Sequence, residues 1–396
     1  MLTRSFMTPD ESKKVLAYSP MFHARLFSEQ KAVRNQHFQP VRHTGGDGEE
    51  SPFLDGNPAI DRPLFVQFCA NNPDDFLGAA RHVEKYCDAV DLNLGCPQGI
   101  ARKGHYGSFL QEDWDTIYKL INRLHNELSI PVTAKFRILE SKEKTLEYAK
   151  MILSAGASII TLHGRTREQK GHNTGLADWS YIRYLRDNLP PETVIFANGN
   201  ILNGSDLERC LEATGADGVM TAEANLSDPS IFSRPPPVGS ETREYWRGRD
   251  GKGGYRVDAI IRRYLDIIYK HVLESPIPER KPLPLPSDPM EEESKQEPKQ
   301  EPTAEQENGP PRKKQKRDRF PRPNSASLVH MQGHIFQLLR PMVGIHTNVR
   351  DALVRARGGD MAAFEHILRL VEQAVRAGLK EYEEFPERFE SDTAGL

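Results

Sequence analysis

Short apolar runs recur along the chain as far as Met220, and each gives way at its C-terminal end to a polar or ionisable side chain. They are Leu64–Phe68 (LFVQF), Ala89–Leu92 (AVDL), Val132–Phe136 (VTAKF), Ser158–Leu162 (SIITL), Val194–Ala197 (VIFA) and Gly218–Met220 (GVM). Their lengths and β-branched content predict strands. Between them lie segments of helical period: Asp74–Tyr86, Asp113–Leu128, Lys144–Ala155, Trp179–Asn188 and Gly204–Thr214. Strands alternating with helices at this spacing predict βα units around a parallel sheet. Lys13–Ser19 supplies one more strand, which brings the count one short of a (β/α)8 TIM-type barrel. No GxGxxG follows the first strand, so a dinucleotide-binding, doubly wound sheet is not predicted.

Side chains two apart on a strand share a face. Thr133, Lys135 and Arg137 therefore line one face, opposite Val132, Ala134 and Phe136, and Asp91 shares a face with Asn93. Gln67, His163, Asn198, Asn200 and Glu223 mark the ends of the other runs. Singly, such residues are ordinary rim, structural or packed groups. Repeated over six strands at the end that carries function in β/α folds, they predict a ligand pocket. Asn198-Gly199-Asn200 lets backbone approach a ligand closely. A short helix opening at Thr221–Asn225 suits a phosphate. Cys96, in the turn Asn93-Leu-Gly-Cys-Pro97, is placed to act as nucleophile or proton donor above the barrel mouth.

The chain has 396 residues, enough for two or three domains or one barrel with appendages, and its 53 Lys plus Arg against 56 Asp plus Glu leave local patches to decide its partners. Four cysteines (Cys69, Cys87, Cys96, Cys210) without CxxC spacing predict neither disulfides nor a metal site, and place the protein in a reducing compartment. No run of about 18 apolar residues predicts a membrane span, and MLTRSFMTPDESKK is no secretory signal. Polarity concentrates in residues 274–327, a Pro/Glu/Lys/Gln stretch predicted to be a disordered linker. Thr44–Pro58 reads as a flexible loop insertion. The predicted organisation is a barrel over 1–235, the start of a helical region over 236–273, the linker, and a helical region over 328–390 bearing Arg340, Arg350, Arg355, Arg357, Arg369 and Arg376. The basic cluster Arg312–Arg319 reads as a nuclear signal or a nucleic-acid patch, for a nuclear and/or cytoplasmic protein.

Asp91-Leu-Asn-Leu-Gly-Cys-Pro97 followed by QGIARKGHYG, Lys135-Phe-Arg137, His163-Gly-Arg-Thr166 and Asn198-Gly-Asn200 closely resemble the tRNA-dihydrouridine synthases. Tyr18-Ser-Pro-Met-Phe-His23 and Thr221-Ala-Glu-Ala-Asn-Leu226 look like the eukaryotic branch acting at positions 16 and 17 of tRNA. The resemblance implies an FMN barrel that reduces the C5–C6 double bond of a uridine in tRNA, with NADPH or NADH as electron source, and a monomer without metal. It implies that Gln67, Lys135 and His163 contact the flavin, and that Asn198, Gly199, Asn200, Ala222 and Glu223 hold its phosphate end. Cys96 would donate a proton to C5, and Asn93, Arg137 and Arg165 would lie near the base or flavin. It further implies a first strand bearing Ala-Pro-Met, which this sequence lacks, so an open seam with unpaired edges is expected. The alternatives are a flavin barrel acting on a free pyrimidine, and an RNA-binding relative with impaired catalysis.

Overall fold

The computed structural model describes residues 1–44, 49–288 and 325–390. The chain forms two compact units, one of Met1–Pro235 with Tyr269–Glu274, the other of Pro236–Ile268 with the chain from Ser275 onward. The basic cluster Arg312–Arg319 lies outside the described residues. Among the described residues no helix is long and apolar enough to cross a membrane.

In the first unit, β1 (Ala17–Tyr18) and β2 (Phe22–His23) both pair with β5 (Leu64–Cys69). Next come β6 (Ala89–Leu94), β7 (Val132–Arg137), β8 (Ile159–His163), β9 (Val194–Asn198) and β10 (Gly218–Met220), all parallel. Between β2 and β5 the chain makes an antiparallel hairpin of β3 (Val41–Thr44) and β4 (Glu49–Pro52). The apolar set Val66, Phe68, Val90, Leu92, Val132, Ala134, Phe136, Ile160, Leu162, Ile195 and Ala197 is almost wholly buried within one core. Helices complete that core for a local reason. Over Trp114–Glu127, Asp113 caps the Thr116 amide at 3.1 Å, and Ile117, Leu120, Ile121 and Leu124 fall at helical spacing and are all fully buried. Burying each such side chain contributes about 1.5–3 kcal/mol before entropy is counted.

The alternate positions make the other face, and strand register arranges them in rows. Gln67, Asp91, Thr133 and Ile159 stand abreast, as do Asn93, Lys135, Thr161 and Phe196, and then Arg137, His163, Asn198 and Met220. Each row carries three polar side chains, and the row at the C-terminal ends holds both Arg137 and His163.

No strand among the described residues joins β10 to β1, so the sheet is an open half-barrel of TIM type. Its two ends are bridged instead by the turn Thr3–Phe6. Thr3 Oγ1 donates to Asn225 Oδ1 at 3.0 Å, while Arg4 Nη2 donates to Val15 O and Pro63 O at 2.8 and 2.7 Å. The stretch predicted as a flexible loop over Thr44–Pro58 contributes β4 and a buried Leu54. Asp55 fastens it by accepting from the Gln39 amide at 2.6 Å, a tie that hydropathy does not signal.

The second unit packs helix Val257–Ile267 with Met331–Leu338, Thr347–Arg355 and Met361–Glu384 around Ile261, Leu265, Ile335, Leu353, Phe364, Leu368 and Val371. It carries a hairpin of β11 (Tyr245–Arg247) and β12 (Gly253–Tyr255). Arg256 and Asp258 form an ion pair at 2.6 Å with side chains 3% and 0% exposed. Residues 275–288 do not behave as the linker predicted from residue 274. Arg280 bonds Asp266 at 2.5 Å and Glu365 at 2.7 Å, Leu283 is buried, and Arg256 donates to Pro284 O at 2.7 Å. Composition misled here because a few anchoring side chains suffice to order a polar, proline-rich segment.

Candidate active site

Cys96 leaves β6 on a turn that is fixed from several sides. Asn93 Oδ1 accepts from the Gly95 and Cys96 amides at 3.0 and 2.9 Å. The Cys96 carbonyl accepts from the Ser108 amide and hydroxyl at 3.1 and 2.9 Å. Gly107 has φ +64°, and a Cβ there would lie 2.8 Å from the Cys96 oxygen, so only glycine lets the chain return this close. Lys170 Nζ donates to Pro97 O at 2.7 Å and Arg167 to Ser108 O at 3.1 Å, tying the turn to the loop after β8. Cys96 is half-buried and packs, as do Met21 and Phe109, against the small cluster of Cys69, Ala101 and Tyr106. Burial pushes the Cys69 thiol up to about 12, so Cys69 stays protonated at neutral pH.

Lys135 and His163 rise from the neighbouring strands. Burial brings the Lys135 ammonium down to about 8, against the opposing pull of Asp91, and it makes no hydrogen bond or ion pair with the described residues. A cation so placed is poised for a ligand. His163 is pushed down to about 2 by burial and by the Lys135, Arg137 and Arg165 cations, so its ring is neutral. Arg165 Nη1 lies 3.1 Å from His163 Nε2. A guanidinium only donates, so Nε2 accepts and Nδ1 carries the proton.

Asn198 Nδ2 donates to Met220 O at 2.8 Å. Gly199 has φ +111°, and a Cβ there would come 2.6 Å from the Ala177 side chain and 3.1 Å from the His163 ring. Asn200 holds the backbone of Ala177 at 2.9 and 2.8 Å and accepts from Arg165 Nη2 at 2.9 Å. Ala222 and Glu223 open the short helix Glu223–Ser227 after β10, and the Glu223 charge acts on Arg165. Gln67, Asn93, Cys96, Lys135 and His163 thus stand on adjacent strand ends, with Asn198–Asn200 and Ala222–Glu223 on the last two.

Arg137 is committed to the loops around the site. It is 9% exposed and donates to the carbonyls of Gly95 (2.8 Å), Thr166 (2.8 Å) and Gln169 (3.1 Å), clasping two loops together. The sequence places Asp91 and Thr133 on the polar face but gives them no role. In the structure Thr133 bonds Asp91, which in turn accepts from Gln67, while Ser108, Arg167 and Lys170, which the sequence reading does not single out, brace the Cys96 turn. The period-two signal was present for Asp91, but the bracing contacts come from loops whose approach no local pattern encodes.

Residues 3–244 match the family described as Dihydrouridine synthase (Dus). The tRNA-dihydrouridine(16/17) synthase of Saccharomyces cerevisiae, whose name specifies NAD(P)(+), is 44% identical over 363 residues, 91% of this chain and 68% of that protein. Its namesake in Schizosaccharomyces pombe is 44% identical over 340 residues, 86% of this chain and 67% of that protein. The tRNA-dihydrouridine(20a/20b) synthase of Saccharomyces cerevisiae is 31% identical over 221 residues, 55% of each chain. An open β/α barrel whose polar rows converge on a braced cysteine, matched over most of its length by these relatives, makes this chain a member of the dihydrouridine synthase family.

Proposed function

We propose that this chain reduces the C5–C6 double bond of a uridine in tRNA, at positions 16 and 17 as in the relatives of that name, with NAD(P)H as the electron source and FMN as the flavin. The observation that carries the reading is the half-buried Lys135 ammonium, which makes no hydrogen bond or ion pair among the described residues, on the strand beside the one that leads to the Cys96 thiol. The residues present fit a flavin. Lys135 and the Nδ1–H of His163 offer donors, and Gln67 offers its amide. Asn198–Asn200 and Ala222–Glu223 are the groups for its phosphate end. Bound there, the flavin supplies hydride to C6 of the base.

The chain itself supplies the proton and the orientation. Cys96 gives its thiol proton to C5, from a turn whose amide and carbonyl are both committed, so the sulfur is aimed by its backbone. His163, held neutral, donates a hydrogen bond without adding a further cation to Lys135, Arg137 and Arg165. Asn93 faces the same pocket. Arg137 holds the Gly95 and Thr166 loops together around it. The uridine must leave its stack to reach the strand ends, as bases do for enzymes that modify them.

Replacing Lys135 with Met keeps the aliphatic stem and removes the charge. The variant is expected to fold with unchanged circular dichroism and to lose flavin, with affinity weakened by roughly tenfold or more, the worth of a hydrogen bond to a charged group. Flavin absorbance after gel filtration measures this. Wild-type occupancy in the Met variant would mean that the cofactor lies elsewhere.

A further inference from the structure

We propose that Asp91 is a positioning residue that fixes the Cys96 turn through two side-chain amides lying between them. Asp91 is fully buried beneath the strand ends and touches neither the thiol nor solvent. Its Oδ1 accepts from Thr133 Oγ1 at 2.6 Å and its Oδ2 from Gln67 Nε2 at 2.8 Å. Gln67 Oε1 then accepts from Asn93 Nδ2 at 2.8 Å. Asn93 Oδ1 in turn accepts from the amides of Gly95 and Cys96.

The order of donors and acceptors along this chain is dictated at both ends. Backbone amides only donate, so the Asn93 oxygen must face Cys96 and its nitrogen must face Gln67. That turns the Gln67 oxygen upward and its nitrogen downward, where a donor needs an acceptor. Asp91 is that acceptor. Without it, a buried amide N–H would be left unpaired, and the least costly relief is for Gln67 to turn, which removes the acceptor from Asn93. A residue two rungs below the thiol thereby decides how rigidly the Cys96 turn is held. The proposal rests on the reading of Cys96 as proton donor only for its consequence in turnover.

Three substitutions in the full-length protein test it. Asp91→Leu keeps the bulk and removes the acceptor. Asp91→Asn keeps an acceptor, because its amide can turn oxygen to Gln67 and nitrogen to Thr133. Gln67→Met breaks the middle link with the carboxylate in place. Amide hydrogen exchange at Gly95 and Cys96 is expected to rise on the order of fivefold to tenfold, the worth of one hydrogen bond, in Asp91→Leu and Gln67→Met, and to stay near wild type in Asp91→Asn. In Asp91→Leu the kcat on tRNA falls about tenfold to a hundredfold with KM unchanged, since small misplacements of a reacting group cost that much. Asp91→Asn restores it. If Asp91→Asn loosens the turn as much as Asp91→Leu, the carboxylate acts by its charge on Lys135 and the proposal is wrong. Unchanged exchange at Cys96 in Gln67→Met overturns it equally, even where Asp91→Leu fails to fold. Exchange is read without turnover, so a different proton donor would leave the exchange pattern in place and abolish only the effect on kcat.

Discussion

Cys96→Ala retains its flavin and forms dihydrouridine about 10²–10⁴ times more slowly than the parent, the range typical for loss of a general acid. The thiol takes no part in the core of the barrel. It sits in a small satellite cluster with Cys69, Ala101 and Tyr106, and the groups that hold its turn act on its amide and carbonyl. Removing one sulfur therefore leaves those bonds intact, and a stability change well under that of a core cavity is expected. Single-turnover reduction of a defined tRNA, with flavin content measured on the same sample, separates chemistry from binding. Cys69 cannot substitute, because its thiol is buried and held up to about 12. Parent-like turnover in the alanine variant would remove Cys96 from the reaction.

The second large effect falls on stability in the helical unit. Asp258→Ala strands the Arg256 guanidinium in a site where its side chain is 3% exposed, and breaking a buried pair in this way costs about 3–5 kcal/mol. The remaining partners of Arg256, the carbonyls of Arg243 at 3.2 Å and Pro284 at 2.7 Å, solvate the cation and do not neutralise it. The double replacement Arg256→Met/Asp258→Leu is expected to recover most of the loss, since an apolar pair of similar volume avoids desolvating two charges. Of the three tryptophans only Trp246 lies in this unit, so denaturant unfolding in a Trp114→Phe/Trp179→Phe background reads it alone. An Asp258→Ala variant as stable as the parent would show that the cation had found water.

Much of the barrel was legible because its strands obey one rule twice. In VTAKFR the same alternation that buries Val132, Ala134 and Phe136 against helices sends Thr133, Lys135 and Arg137 inward, so fold and pocket share one signal. Strand β1 was harder to delimit. Lys13–Ser19 shrinks to Ala17–Tyr18, and β2 resumes the pairing at Phe22 after Pro20 has interrupted it. Strand β4 within the loop expected over Thr44–Pro58, and the anchored segment 275–288 within the expected linker, escape a sequence reading because each is ordered by a few specific bonds and by little apolar burial. Arg137 shows the corresponding limit at the site. Its strand position was correct, but whether a guanidinium meets a ligand or three carbonyls depends on loops after β6 and β8 that fold back to it.

The helical unit is assembled from two separate stretches of chain, and this makes the protein a natural candidate for splitting. Helix Val257–Ile267 and Arg280 lie before residue 289, whereas the residues that bond to them, His334, Glu365 and Glu372, lie after residue 324. A peptide bond cut anywhere between residues 288 and 325 leaves both stretches with all of these groups. The two fragments should copurify after such a cut and should reassemble when expressed from separate genes. Expression of residues 1–288 alone would instead uncover Ile261 and Leu265, so a shortened version made to isolate the barrel carries a sticky apolar face along with it.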